Sequence, residues 1–183
     1  TQNRYALFRR LWRALYINED NMSFIRKLFG KNKSEEHINV FSGEDPGMLN
    51  AIRQAQSEFE SFAKEVELES HRILPAMGEC LIKYAFPAEK GDLVAEHMFI
   101  TDIYFENGIL HGTLASEPMY TTKIKEGDHV IIDPQMVSDW LYIIGNVTYG
   151  GYTFKHMWQC FSEEEKTLYR DQPPFMWLDL SDV

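Results

Sequence analysis

The chain has 183 residues, 44% of them hydrophobic, which suits one domain with appendages and leaves no room for a second full domain. No run of eighteen uncharged apolar residues occurs, so a transmembrane helix is excluded on length. Residues 1–33 hold eight Lys or Arg against Glu19 and Asp20, a net of plus 6, while the other 150 residues hold ten against twenty-six, a net of minus 16. An acidic body repels phosphate backbones and steers a basic protein toward itself, which disfavours nucleic acid as a partner and favours protein.

From Arg4 to Ile17 the arginines Arg9, Arg10 and Arg13 share one helical arc, opposite Leu7, Phe8, Leu11, Trp12 and Leu15. This basic amphipathic pattern predicts a helical extension over 1–33 and suits residues 4–30 to contact with a membrane surface. Met22-Ser23-Phe24-Ile25 reads as a natural start, which makes 1–21 a leader or an upstream addition; arginines interrupt what would be the apolar part of a secretory signal. Residues 34–44 are polar and read as a linker to one domain over 45–183.

Asp45-Pro46 sets a capping residue before proline at the first helical position, and apolar residues recur at Met48, Ile52, Ala55, Phe59, Phe62 and Val66. These steps predict an amphipathic helix ending near Glu67. After Pro75 and Gly78 the period becomes two, and Cys80 to Phe86 reads as a strand closed by Pro87.

Asn107-Gly108 predicts a two-residue hairpin loop, which sets Glu106 opposite Ile109, Phe105 opposite Leu110, Tyr104 opposite His111, Asp102 opposite Thr113 and Thr101 opposite Leu114. Strict alternation then gives Phe99, Ile103, Phe105, Leu110 and Leu114 to the core. The other face takes Glu96, Met98, Ile100, Asp102, Tyr104 and His111.

Lys125-Glu126-Gly127-Asp128 reads as a turn feeding a strand over His129 to Ile132, ended by Asp133-Pro134. A second hairpin over Leu141 to Ile144 and Val147 to Phe154 turns at Gly145-Asn146, with a bulge or a close backbone approach expected at Gly150-Gly151 inside its second strand. Ser162-Glu163-Glu164-Glu165 is a capping box opening a short helix, and Phe175 to Leu178 is apolar enough to pack on the body. The expected fold is α+β: N-terminal amphipathic helices, then a bent antiparallel sheet or small half-barrel of five to six strands, plus a short C-terminal helix.

The order Glu96-His97-Met98-Phe99, Asn107-Gly108, Lys125-Glu126-Gly127-Asp128, Ser138-Asp139-Trp140 and Gly150-Gly151-Tyr152-Thr153 resembles the YegJ-like family of bacterial domains of unknown function, from about Asp45 to about Phe154. The resemblance implies no activity. It marks Asp139, Trp140, Gly150 and Gly151 as recurrent motif positions, with Asp139 bonding backbone amides in a turn and Trp140 anchoring its strand.

Catalytic signatures are absent: there is no phosphate-cradling glycine loop with lysine, no His-Glu-x-x-His, no Cys-x-x-Cys and no Gly-x-Ser-x-Gly. Cys80 and Cys160 lie far apart, fit no metal-ligand spacing, and read as inert buried thiols in a reducing, cytoplasmic setting. Glu96 and His97 are neighbours on a strand and point to opposite faces. Neither a cofactor nor a metal is expected.

The polar set Glu96, Asp102, Tyr104 and His111, with Asp139 nearby, supplies the residue types for acid and base work, hydrolytic or otherwise, for a metal or for a small ligand. It also suits the solvated face of an antiparallel sheet. The favoured expectation is a non-catalytic acidic module that binds protein, in concrete form an immunity protein neutralising a basic bacterial toxin. Its anionic contacts would come from Glu163, Glu164, Glu165, Asp179 and Asp182, or from Glu58, Glu60 and Glu65, with exposed Tyr and Trp as anchors.

Overall fold

The computed structural model describes residues 45–90 and 94–180. The helical extension, the linker and Asp182 of the sequence reading lie outside these residues.

Helix α1 (Pro46–His71) starts where the sequence predicts, because Asp45 Oδ1 accepts from the Gly47 amide at 2.9 Å and proline fills the first turn. Its buried residues are Ala51, Ala55, Phe59, Phe62 and Val66, a stripe that meets a sheet. Fully burying Phe62 alone contributes about 2 kcal/mol. The helix outruns the expected end near Glu67 by one turn. Arg72 pairs there with Glu65 at 2.8 Å and Glu69 at 2.7 Å, so ion pairs continue it after the apolar stripe has stopped.

Six strands follow: β1 (Met77–Pro87), β2 (Ala95–Glu106), β3 (Ile109–Leu114), β4 (His129–Ile131), β5 (Val137–Ile144) and β6 (Val147–Gly150). They form one antiparallel sheet in the order β4-β3-β2-β1-β5-β6. The fold is α+β, as expected, with three further short elements at its C-terminal end. Helix α2 is Tyr152–Cys160, helix α3 is Glu163–Tyr169, and a 3-10 turn covers Phe175–Trp177.

The sheet is covered by α1 on one face and in part by α2 and the C-terminal segment on the other. Toward α1 it presents Ile82, Tyr84, Phe86, Met98, Ile100, Leu110, Leu114, Trp140 and Tyr142, all in one core with Phe59, Phe62 and Val66. On the other side Phe99 stacks on Phe154 of α2 at 5.8 Å. Phe175 is the centre of that second layer, with Phe154, Trp158, Phe161 and Tyr169 rings between 5.3 and 6.1 Å away. The C-terminal apolar segment thus packs on the body, as its composition requires.

Two sequence expectations need correction. Gly150 makes the close backbone approach, where a Cβ would meet the Trp140 carbonyl oxygen, but Gly150-Gly151 does not bulge a continuing strand. Both residues are left-handed (φ 79° and 72°), β6 stops at Gly150, and Tyr152 to Phe154 begin α2. The predicted partners Tyr142–Tyr149 and Ile144–Val147 are found.

In the first hairpin the turn is as expected, and the pairs Glu106–Ile109, Phe105–Leu110 and Tyr104–His111 are present. Beyond them the register slips by one: Thr101 faces Thr113 and Ile100 faces Leu114. The slip comes from a bulge at Asp102, whose φ of 49° is rare outside glycine. Because side chains alternate along a strand, one extra residue exchanges the two faces. Met98 and Ile100 therefore join the α1 core before the bulge, and Ile103 and Phe105 take that role after it.

Candidate functional site

The bulge divides the predicted polar face. Glu96 lies before it, on the same side as Met98, and its carboxylate accepts from the amides of Met119, Tyr120 and Thr121 at 2.8, 2.8 and 3.2 Å. It anchors the loop after β3. Tyr104 and His111 lie after the bulge on the opposite side, and Asp102 sits exposed at the bulge itself. Glu96, Asp102, Tyr104 and His111 do not form one site.

Tyr104 and His111 instead meet a residue that sequence reading missed, His129 of β4. The rings of Tyr104 and His111 stack at 5.1 Å, as do His111 and His129. His111 Nδ1 lies 3.1 Å from His129 Nε2, and the Tyr104 hydroxyl 3.2 Å from the same nitrogen. The row is a ladder across three strands, one residue from each, with Tyr104 and His111 half-buried and His129 exposed. His129 was hidden because pairing of β3 with β4 crosses fourteen intervening residues with no hairpin signal.

The motif residues Asp139, Trp140, Gly150 and Gly151 come together beneath α2. Gly151 is the residue before that helix and has no side chain to cap it. Asp139 performs the task from β5: Oδ1 accepts from the amides of Trp140 (2.8 Å) and Tyr152 (3.2 Å), and Oδ2 from the Thr153 amide (2.8 Å) and hydroxyl (2.6 Å). Burial pushes this carboxyl up, while the Thr153 bond and the Lys83 ammonium pull it back. Four donors on two oxygens leave no lone pair for a proton, so the group is a carboxylate. Trp140 fixes the other face of β5, its indole N–H donating to the Ala55 carbonyl of α1 at 2.8 Å. A Cβ on Gly150 would collide with the Trp140 carbonyl oxygen, and one on Gly151 with Leu178.

Lys83 stands opposite Asp139 in the β1–β5 register, half-buried, with Nζ 3.4 Å from the Thr153 hydroxyl and above the Phe154 ring. Desolvation lowers its pKa and Asp139 opposes the change. Beside it, His97 Nδ1 lies 2.9 Å from Ser138 Oγ, which donates to the Lys83 carbonyl at 3.0 Å. Ser138 Oγ thus lies within hydrogen-bond distance of both the Lys83 carbonyl and His97 Nδ1. His97 is exposed as a whole residue, but partial desolvation of its ring, then the charge of Lys83, lowers its pKa to about 4. Both groups read as parts of the fold.

Of the acidic residues expected to meet a partner, Glu163 and Glu164 are exposed on the first turn of α3. Glu165 is engaged in the capping box, accepting from the Ser162 amide and hydroxyl at 2.8 and 2.9 Å. Asp179 is exposed on the C-terminal segment. Between α3 and that segment lies an open groove of about 670 Å³, lined by Trp158, Glu163, Lys166, Arg170, Phe175 and Leu178 among others. The other acidic set lies on α1: Glu58 accepts from the Tyr152 hydroxyl at 2.6 Å, Glu60 pairs with Lys64, and Glu65 with Arg72.

One sequence expectation about the cysteines also changes. Cys80 is half-buried and its thiol is pushed far up by desolvation, but Cys160, at the last position of α2, is exposed. It follows Trp158 by two residues and so lies off the buried face of the helix that the tryptophan marks.

The matched region coincides with the described fold: residues 45–175 match the family model DUF2314, an uncharacterized protein conserved in bacteria. The chain belongs to that family. Among curated relatives, the Escherichia coli K12 protein named "Uncharacterized protein YegJ" is 33% identical over 70 residues, 38% of this chain and 46% of that protein. The YegJ-like resemblance is thereby borne out. A Neisseria meningitidis serogroup B protein named "Putative ankyrin repeat protein" is 33% identical over 125 residues, 67% of this chain and 49% of that protein. The chain thus spans about half the length of the curated relatives it matches. No solved structure matches it. No helix among the described residues is long and apolar enough to cross a membrane.

Proposed function

We propose that this DUF2314 chain is a non-catalytic, acidic protein-binding module, in its most concrete form an immunity protein that neutralises a basic bacterial toxin in the cytoplasm by direct binding. The observation that carries the reading is the groove beside α3, whose floor is Trp158, Phe175 and Leu178 and whose rim holds Glu163, Lys166, Arg170 and Asp171. An apolar floor takes an aromatic or aliphatic anchor from a partner, and a charged rim sets orientation and encounter rate. The strongly acidic residues 34–183 favour a basic partner.

Three polar groups of the types used in chemistry support the same reading, since they are engaged in holding the fold. Glu96 holds three amides, Asp139 holds the start of α2, and Ser138 is bonded to a carbonyl.

The test is co-expression of the chain with the product of the neighbouring reading frame in its native genome, followed by calorimetric titration of the two purified proteins. The expected result is a stoichiometric complex that suppresses toxicity. Its affinity falls at least about tenfold in a Glu163→Lys/Glu164→Lys variant and is unchanged in His111→Ala, as loss of rim charges would require. A lack of complex at low and moderate salt overturns the proposal, as does full affinity after the charge reversal.

A further inference from the structure

We propose that Asp45, His156 and Cys160 form a zinc site joining the start of α1 to the end of α2. His156 Nε2 lies 2.8 Å from Asp45 Oδ2 and 3.8 Å from Cys160 Sγ, and the three donor atoms all fall within 4.8 Å of one another. One imidazole nitrogen therefore faces both the carboxylate and the thiol. Tetrahedral zinc with bonds of roughly 2.0–2.3 Å separates N and O ligands by about 3.4 Å and N and S ligands by about 3.6 Å. The thiol already stands at that spacing, and the carboxylate has to withdraw by about half an ångström.

The local structure supplies the convergence. His156 and Cys160 are four residues apart on α2, hence one turn apart on the same side. Asp45 divides its oxygens: Oδ1 holds the Gly47 amide of α1, which leaves Oδ2 to face His156. Gly47 is where the imidazole rests, and a Cβ there would overlap the ring. The position of the ring is thus set by backbone. Asp45 and His156 are half-buried while Cys160 is exposed, so one side of the cluster is open for water or a fourth ligand.

The donor chemistry selects the ion. A thiolate with an imidazole and one carboxylate suits zinc, whereas magnesium and calcium require oxygen ligands throughout. On binding, the thiol of Cys160 gives its proton to solvent. The Nε2 hydrogen now given to Asp45 must leave as well, passing through solvent to Nδ1, so that the neutral ring offers its Nε2 lone pair and the hydrogen bond to Asp45 is exchanged for two metal bonds.

The experiment titrates the reduced, metal-free full chain with cobalt(II), then zinc(II), and records electronic absorption. The expected result is a thiolate-to-cobalt charge-transfer band that saturates at one equivalent and is displaced by zinc. Cys160→Ser removes the band and Cys80→Ser retains it. His156→Gln, with unchanged circular dichroism, weakens zinc binding at least about tenfold, the loss already expected when an outer partner of a metal ligand is altered. Absence of the band overturns the proposal, as does a band that survives Cys160→Ser or zinc affinity unmoved by His156→Gln.

Discussion

Thr153 gives both its amide and its hydroxyl to one oxygen of Asp139, at 2.8 and 2.6 Å, and so ties the first turn of α2 to the middle of the sheet. Both residues are fully buried. Asp139→Ala leaves the amides of Trp140, Tyr152 and Thr153 without their acceptor and Lys83 without its counter-charge. The expected loss is about 3 kcal/mol of unfolding free energy by denaturant titration, typical of a broken buried network. A loss below about 1 kcal/mol would show that α2 does not depend on this cap.

Gly150 and Gly108 both have positive φ, at 79° and 82°, but only Gly150 is crowded. Gly108→Ala meets nothing within 4 Å and carries backbone strain alone, about 1 kcal/mol. Gly150→Ala must also displace the Trp140 carbonyl and is expected to cost at least twice as much. Equal melting-temperature shifts for the two variants would refute the close approach of β6 to β5.

Glu96→Ala is expected to act locally. Its carboxylate holds the amides of Met119, Tyr120 and Thr121, and hydrogen exchange at those amides should accelerate at least about tenfold while α1 stays protected. If the three amides keep their protection, the loop is held by something other than Glu96.

His97 gives a sign to the pH dependence. Its folded pKa is lowered to about 4 from 6.5, so between those values the unfolded chain binds a proton that the folded one does not. The stability it contributes is present above the unfolded value and is lost as pH falls toward the folded one. Denaturation midpoints should decline from about pH 6.5 to about pH 4, and His97→Gln should flatten that segment of the curve. An unchanged slope would remove His97 as the source.

Where the sequence carries a local cause, it was sufficient to read the structure. Asp45-Pro46 with steps of three and four specifies α1, Asn107-Gly108 and Gly145-Asn146 specify the hairpins, and Ser162 with Glu165 specifies the start of α3. Helix α2 had no such cause. Its cap arrives from Asp139 on another strand, and two glycines after Val147-Thr148-Tyr149 look like an interrupted strand. The bulge at Asp102 was equally hidden, since Phe99, Thr101, Ile103 and Phe105 alternate as though the strand were regular. The candidate sites suffered most. Lys83 with Asp139, His111 with His129, and Asp45 with His156 are each joined by tertiary contact, which no spacing in the chain announces.

The long strands β1 and β2 stand in the middle of the sheet, and the two outermost strands are β4, His129–Ile131, and β6, Val147–Gly150. Among the described residues, an incoming strand would thus find only three or four residues of open backbone on either flank. So short a ladder gives little affinity to a partner that extends the sheet, and little purchase to another copy that would polymerise along it. A protein partner of the kind proposed above would therefore meet side chains of the helical layer rather than backbone at the sheet's edge.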